Sequence, residues 1–196
     1  MKTIVFVPIR DYFKSRKHIW LKLLIPFLIG IATLIGAFVF DFGDINNCNT
    51  IFSEFVSVQI NIVAILISFS VAIITILVSA DNKNIEQLKN SPSSDCKPIN
   101  GKVLSLFQVL LSNIAYNVIV EIIYLILLIA VILIKALLPV ALLKYITAVC
   151  IFFIMHILFI LLESVSQMYL TFWSEKSKPP VQRDYPLPSL CLYRVN

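Results

Sequence analysis

The sequence predicts an all-α fold, a polytopic membrane protein of four transmembrane helices with both termini inside, assembled as an oligomer. Three observations predict it. Apolar residues make up 59% of the 196 residues and charged residues 14%, where soluble domains carry about 25% charged residues. Mean hydropathy is +0.92, and the apolar residues gather into runs of the roughly 20 residues that cross a ~30 Å hydrocarbon core. Lys and Arg fall almost wholly on alternate connecting segments, the pattern that orients spans in a bilayer. This excludes an ordinary cytosolic globule and a disordered chain, and four glycines exclude Gly-rich low-complexity sequence.

The segment 1–20 mixes Ile4, Phe6, Ile9, Tyr12 and Phe13 with Arg10, Lys14, Arg16 and Lys17. This suits an interfacial segment on the inner leaflet, with Trp20 at the headgroup level. The uncharged run Leu23 to Phe40 places the first span at about 21–40. It is longer than a typical signal-peptide core and ends without a small-x-small cleavage site, so it reads as a retained span. The second span is placed at about 55–80, the third at 108–134 and the fourth at 140–163, together a transmembrane domain over 21–163. Residues 81–102 form a cytoplasmic loop rich in turn residues, Ser91-Pro92-Ser93-Ser94. Residues 164–196 continue the fourth helix and end in a proline-rich tail.

Orientation follows from charge. Lys2, Arg10, Lys14, Arg16, Lys17 and Lys22 precede the first span, and the middle loop and the tail hold four basic residues each. The connection between spans three and four holds only Lys135 and Lys144, and that between one and two holds none. The basic segments are expected in the cytoplasm, which makes this a multi-pass protein of the cell inner membrane. The net charge of +5 is then accounted for by topology and anionic headgroups, not by direct binding of nucleic acid. Cys48, Cys96, Cys150 and Cys191 form no C-x-x-C pair. Hydrolase, metalloprotease and phosphate-loop motifs are absent from the sequence. We expect no catalytic residue, metal or cofactor, and a non-enzymatic protein.

Polar residues within the spans are the remaining candidates, since an ionisable group in hydrocarbon costs at least ~2.5 kcal/mol and normally faces protein or water. In the second span Ser57, Asn61, Ala64, Ser68, Ala72, Thr75 and Ser79 recur at spacings of 4, 3, 4, 4, 3 and 4, close to a heptad repeat. That is the pattern of a left-handed helix contact, made of small residues that let backbones approach. It is an oligomer contact, tight packing inside the subunit, or a pore-lining face. Ala32 and Gly36 form a shorter small-xxx-small pair in the first span. Glu54 lies near the outer surface, with Gln59 a turn or two deeper. In the third span Asn113, Asn117 and Glu121 share one helix face at i, i+4 and i+8, and the fourth carries His156. In an antiparallel hairpin centred between Leu138 and Pro139, Glu121 and His156 lie equally far from the turn. His156 is about 18 Å below Lys144 at 1.5 Å per residue. Side by side, the two would form a proton relay or a hydrogen bond fixing helix packing.

The tail carries Pro179, Pro180, Pro186 and Pro188, then Leu187, Leu190, Leu192 and Tyr193. Extended proline-rich peptides with apolar ends dock in grooves of partner proteins. The alternative is a frayed terminus.

Four spans with both termini inside, a basic aromatic start (Phe13-Lys14-Ser15-Arg16-Lys17-His18-Ile19-Trp20) and the tail Lys178-Pro179-Pro180-Val181-Gln182-Arg183-Asp184-Tyr185-Pro186 resemble the KwaA family, the small membrane subunits of the bacterial Kiwa anti-phage system. The likeness is in size and topology over the whole chain and carries no residue roles. It implies an oligomeric inner-membrane sensor of phage attack, paired with a soluble, DNA-binding cytoplasmic effector of the KwaB kind. The expected function is thus a sensor or scaffold subunit that recruits such an effector. A pore-forming channel lined by the second span is the alternative, and a small proton-coupled transporter using Glu121 and His156 a further one.

Overall fold

The computed structural model describes residues 7–16, 19–39, 45–79, 83–93 and 103–174. These form six α-helices: α1 (Val7–Ser15), α2 (Ile19–Val39), α3 (Ile45–Ser79), α4 (Lys83–Asn90), α5 (Leu106–Ile134) and α6 (Val140–Ser174). No β-strand occurs among the described residues; a single antiparallel bridge joins Pro92 and Ser105. Four helical stretches are long and apolar enough to cross a membrane: Ile19–Val39, Cys48–Ser79, Leu106–Leu137 and Ala141–Tyr169. The chain is an all-α, multi-pass membrane bundle. The tail residues Pro179, Pro180, Pro186, Leu187, Pro188, Leu190, Leu192 and Tyr193 lie outside the described residues.

Each helix boundary has a local cause. Ser105 caps α5, its hydroxyl accepting from the Gln108 amide while the Gln108 side chain accepts from the Ser105 amide, which satisfies two otherwise orphaned donors. The turn between α5 and α6 is a short 3₁₀ segment, Lys135–Leu137, closed by the Leu138 amide on the Lys135 carbonyl at 3.1 Å. Pro139 then precedes α6, contributing its carbonyl to the first amides of the helix.

The spans are arranged by pairs. α2 packs along α6 and α3 along α5, while α5 and α6 form the central hairpin and α3 also reaches α6. α2 and α3 are not packed along each other. The core runs down the middle through Val56, Val63, Tyr124, Leu128, Leu143, Cys150 and Ile157. A second cluster, Leu77, Leu110 and Ile114, closes the end near α4.

Two segments outside the spans gain structure of their own. The middle loop is not turn chemistry alone, because α4 lies within it and buries Ile85 and Leu88 against α5. Spacing of three between the two apolar residues puts both on one face of a short helix, and the Ser91–Ser93 strand-like stretch pairs back to Leu104 and Leu106. The N-terminal segment carries a helix that packs on the bundle. α1 packs on α5 with Tyr12 and Arg16 buried, while Arg10, Phe13 and Lys14 stay exposed.

Candidate functional site

α3 is the element whose sequence pattern has two readings, and the structure separates them. Phe52, Val56, Gln59, Val63, Ser70 and Leu77 are buried, a heptad-spaced face turned to α5 and α6. The small-residue seam Ser57, Asn61, Ala64, Ser68, Ala72, Thr75 and Ser79 is exposed at every position. Among the described residues the seam is therefore not the face buried against the subunit's own helices. Ser68 and Thr75 donate to the carbonyls four residues back, so their hydroxyls are satisfied without a partner helix. Asn61 makes no hydrogen bond among the described residues. Glu54 is also exposed, near the start of α3.

The small-xxx-small pair of α2 is likewise not the contact inside the subunit. Ala32 is exposed, and a Cβ built on Gly36 would meet nothing within 4 Å. The close approach of α2 to α6 falls at Gly30, where a Cβ would stand 3.3 Å from the Phe152 Cβ.

Inside the bundle the polar side chains form three layers. The first holds Glu121, fully buried. Its Oε1 accepts from Asn117 Nδ2 at 2.7 Å and from Ser70 Oγ at 3.1 Å. Glu121 Oε2 and Asn117 Oδ1 have no hydrogen-bond partner. Asn113, Asn117 and Glu121 do share a buried face of α5. The second layer is Tyr124, whose hydroxyl donates to the Cys150 carbonyl at 2.9 Å and to Gln59 Oε1.

The third layer closes the α1 end of the bundle. His156 Nε2 meets the Tyr116 hydroxyl at 3.1 Å, and the His156 ring stacks on Phe152. The Tyr116 ring lies parallel to that of Tyr12, with centroids 4.1 Å apart. One turn on, Arg16 pairs with Glu163 at 2.7 Å and donates to Asn113 Oδ1. Lys22 reaches the same carboxylate at 2.5 Å, Gln167 Nε2 donates to it at 3.0 Å, and Asn113 Nδ2 donates to Gln167 Oε1. Burial, reinforced by the nearby Glu163 charge, pushes the Tyr12 phenol well above its ordinary pKa, so this residue serves as a neutral stacking group. A groove of about 470 Å³ beside the cluster is lined by Tyr12, Lys22, His156, Glu163 and Gln167.

Glu121 and His156 do not lie side by side, each having its own partner. The depth argument holds: Tyr124 and Phe153, equally far from the same centre, stack with centroids 5.4 Å apart. The faces differ. Glu121 points to α3 and meets Ser70, whereas Tyr116, five residues earlier and ~140° around the helix, faces α6 and meets His156. Sequence reasoning missed Gln59 and Ser70 as interior partners, though their eleven-residue separation is three helical turns. It also took Arg16 only as a topology charge; nothing local marks it as half of an ion pair with Glu163, far along the chain.

Among the described residues no group of three or more His, Cys, Asp or Glu is placed to hold a metal ion. Compared with family models, curated proteins and solved structures, the chain gives no match.

Proposed function

We propose that this chain is a non-enzymatic membrane sensor or scaffold subunit. It self-associates through the exposed seam of α3 and recruits a soluble effector on the side that carries α1, α4 and the tail. The observation that carries the reading is the unused seam. Seven small or polar residues at spacings of three and four, Ser57 to Ser79, are exposed, and one of them, Asn61, is an amide without a partner among the described residues. In a bilayer such a face is satisfied by another helix offering small residues and hydrogen-bond groups. A second copy of the chain supplies both. The charge asymmetry supports the cytoplasm as the side of α1 and α4, and the likeness to Kiwa membrane subunits supports a role in anti-phage defence at the inner membrane.

Mild-detergent affinity purification from the native operon tests the reading. The full chain is compared with one truncated after Trp173, by mass spectrometry and native mass. The expected result is a homo-oligomer holding a stoichiometric soluble partner, with the partner lost on truncation. A clean oligomer without any partner overturns the scaffold.

A pore-forming effector is the second reading, favoured by the same seam, because polar side chains at Ser57, Asn61, Ser68 and Thr75 would line a channel between copies. Ion flux from liposomes holding the purified chain alone, abolished by Asn61→Leu, would select it. A transporter is supported less, since Glu121 and His156 engage different partners.

A further inference from the structure

At the end of the bundle opposite α1, the pairing of the spans leaves a cleft. α2 packs on α6 and α3 on α5, and residues of α2, α3 and the start of α6 line the cleft together. The cleft measures about 630 Å³, well inside the ~300–1,000 Å³ range of small-ligand sites. Its apolar walls include Ala37 from α2, Ile51, Phe52 and Phe55 from α3, and Leu143 from α6, and Lys144 stands among them. Cys48 and Phe55 mark its extent along α3, seven residues or about 10 Å of helix, roughly a third of the hydrocarbon core.

Two features make this more than a gap between helices. The first is Gly36, also in the wall. Gly30 is required for close approach, yet at Gly36 a Cβ would meet nothing within 4 Å, so this glycine widens the cleft instead of tightening a contact. The second is Lys144. It is half-buried, lies over the Phe38 ring at 5.3 Å, and meets no carboxylate among the described residues. It sits in the second turn of α6, near the helix end whose dipole repels a cation and attracts an anion. An apolar slot whose one positive charge has no carboxylate partner among the described residues matches an acyl chain beneath an anionic headgroup. In a bilayer that amphiphile is the surrounding solvent, and a slot lacking chain atoms would forfeit its dispersion contacts.

We propose that this cleft binds one phospholipid whose headgroup carries a net negative charge, its acyl chain between α2 and α3 and that headgroup, with no cation of its own to offset the phosphate, against the Lys144 ammonium. The site is independent of the effector and of the α3 seam, whose residues point elsewhere.

The test uses the purified full chain in detergent with equimolar phosphatidylglycerol and phosphatidylcholine, read by native mass spectrometry. One lipid per chain is expected, with phosphatidylglycerol preferred roughly fivefold, the effect of about one basic side chain at a membrane surface. Lys144→Gln abolishes the preference, while Lys135→Gln, whose ammonium is held by Ser53 at the neighbouring turn, retains it. Gly36→Leu fills the slot and releases the lipid with the thermal midpoint unchanged or raised. Equal retention of both lipids by the unaltered chain, or a preference that survives Lys144→Gln, overturns the proposal. So does a second copy in the slot, detected as an interchain disulfide between Cys48 and a cysteine placed by Thr33→Cys.

Discussion

Glu163 and Glu121 both lie within long apolar helices, yet the chain treats them differently. Glu163, near the α1 end of the bundle, meets two cations and an amide: Arg16 at 2.7 Å, Lys22 at 2.5 Å and Gln167 at 3.0 Å. Glu121, deep between α3 and α5, meets only the neutral donors Ser70 and Asn117. Near an aqueous boundary a charged cluster is tolerated, because its outer members keep part of their hydration; the Lys22 side chain is 37% exposed. In the interior only dipoles are placed around the carboxyl, since a buried counter-ion would bring its own desolvation cost. The first cluster fastens a separate element, α1, to the bundle. The second sets the register of helices that apolar packing already holds.

Predictions sharpen this contrast, and the largest effect belongs to the charged end. Arg16→Ala removes a buried cation from both Glu163 and Asn113, and we expect a loss of about 3 kcal/mol. Unfolding in mixed detergent–SDS micelles measures it, and proteolysis at α1 should accelerate in parallel. If stability falls but α1 stays protected, Arg16 is not what fastens the helix.

Glu121→Ala strands the Ser70 and Asn117 donors and is expected to cost about 2 kcal/mol by the same unfolding assay. Glu121→Gln keeps a carbonyl acceptor and should stay within about 1 kcal/mol of the unaltered chain. A large loss in the glutamine variant would show that the acid itself, and not its acceptor oxygen, is required.

Tyr124→Phe removes the donor to Gln59 and to the Cys150 carbonyl. An expected cost of about 1 kcal/mol is the ordinary worth of an interior hydrogen bond, read from the same micelle titration. The smallest effect is expected at Lys22→Gln. Its ion pair with Glu163 is partly exposed, so the change should stay below about 1 kcal/mol and shrink further in salt. A Lys22 effect as large as that of Arg16 would erase the distinction between the buried and the exposed half of the cluster.

The α3 helix separates what a sequence pattern can and cannot assign. Two heptad-spaced faces are written into it, one through Val56, Gln59, Val63 and Ser70, the other through Ser57, Asn61, Ala64 and Ser68. Small-residue content favours the second as the packing face, yet the structure buries the first. The neighbours decide: α5 offers Glu121 and Tyr124, which meet Ser70 and Gln59 on the buried face. Spacing alone carries no information about the complement.

Span number and the all-α class were set by the sequence itself, because each span must satisfy its backbone internally and clothe itself in apolar side chains. These are properties of consecutive residues. The burial of Asn113, Asn117 and Glu121 on one α5 face also follows from local spacing. Only the tertiary structure decided that α1 docks through Tyr12 and Arg16, that His156 meets Tyr116 instead of Glu121, and that α2 and α3 part around a cleft. Each of these depends on the rotation of one helix about its own axis against another. That rotation is fixed by the sum of many distant contacts, and no stretch of contiguous sequence encodes it.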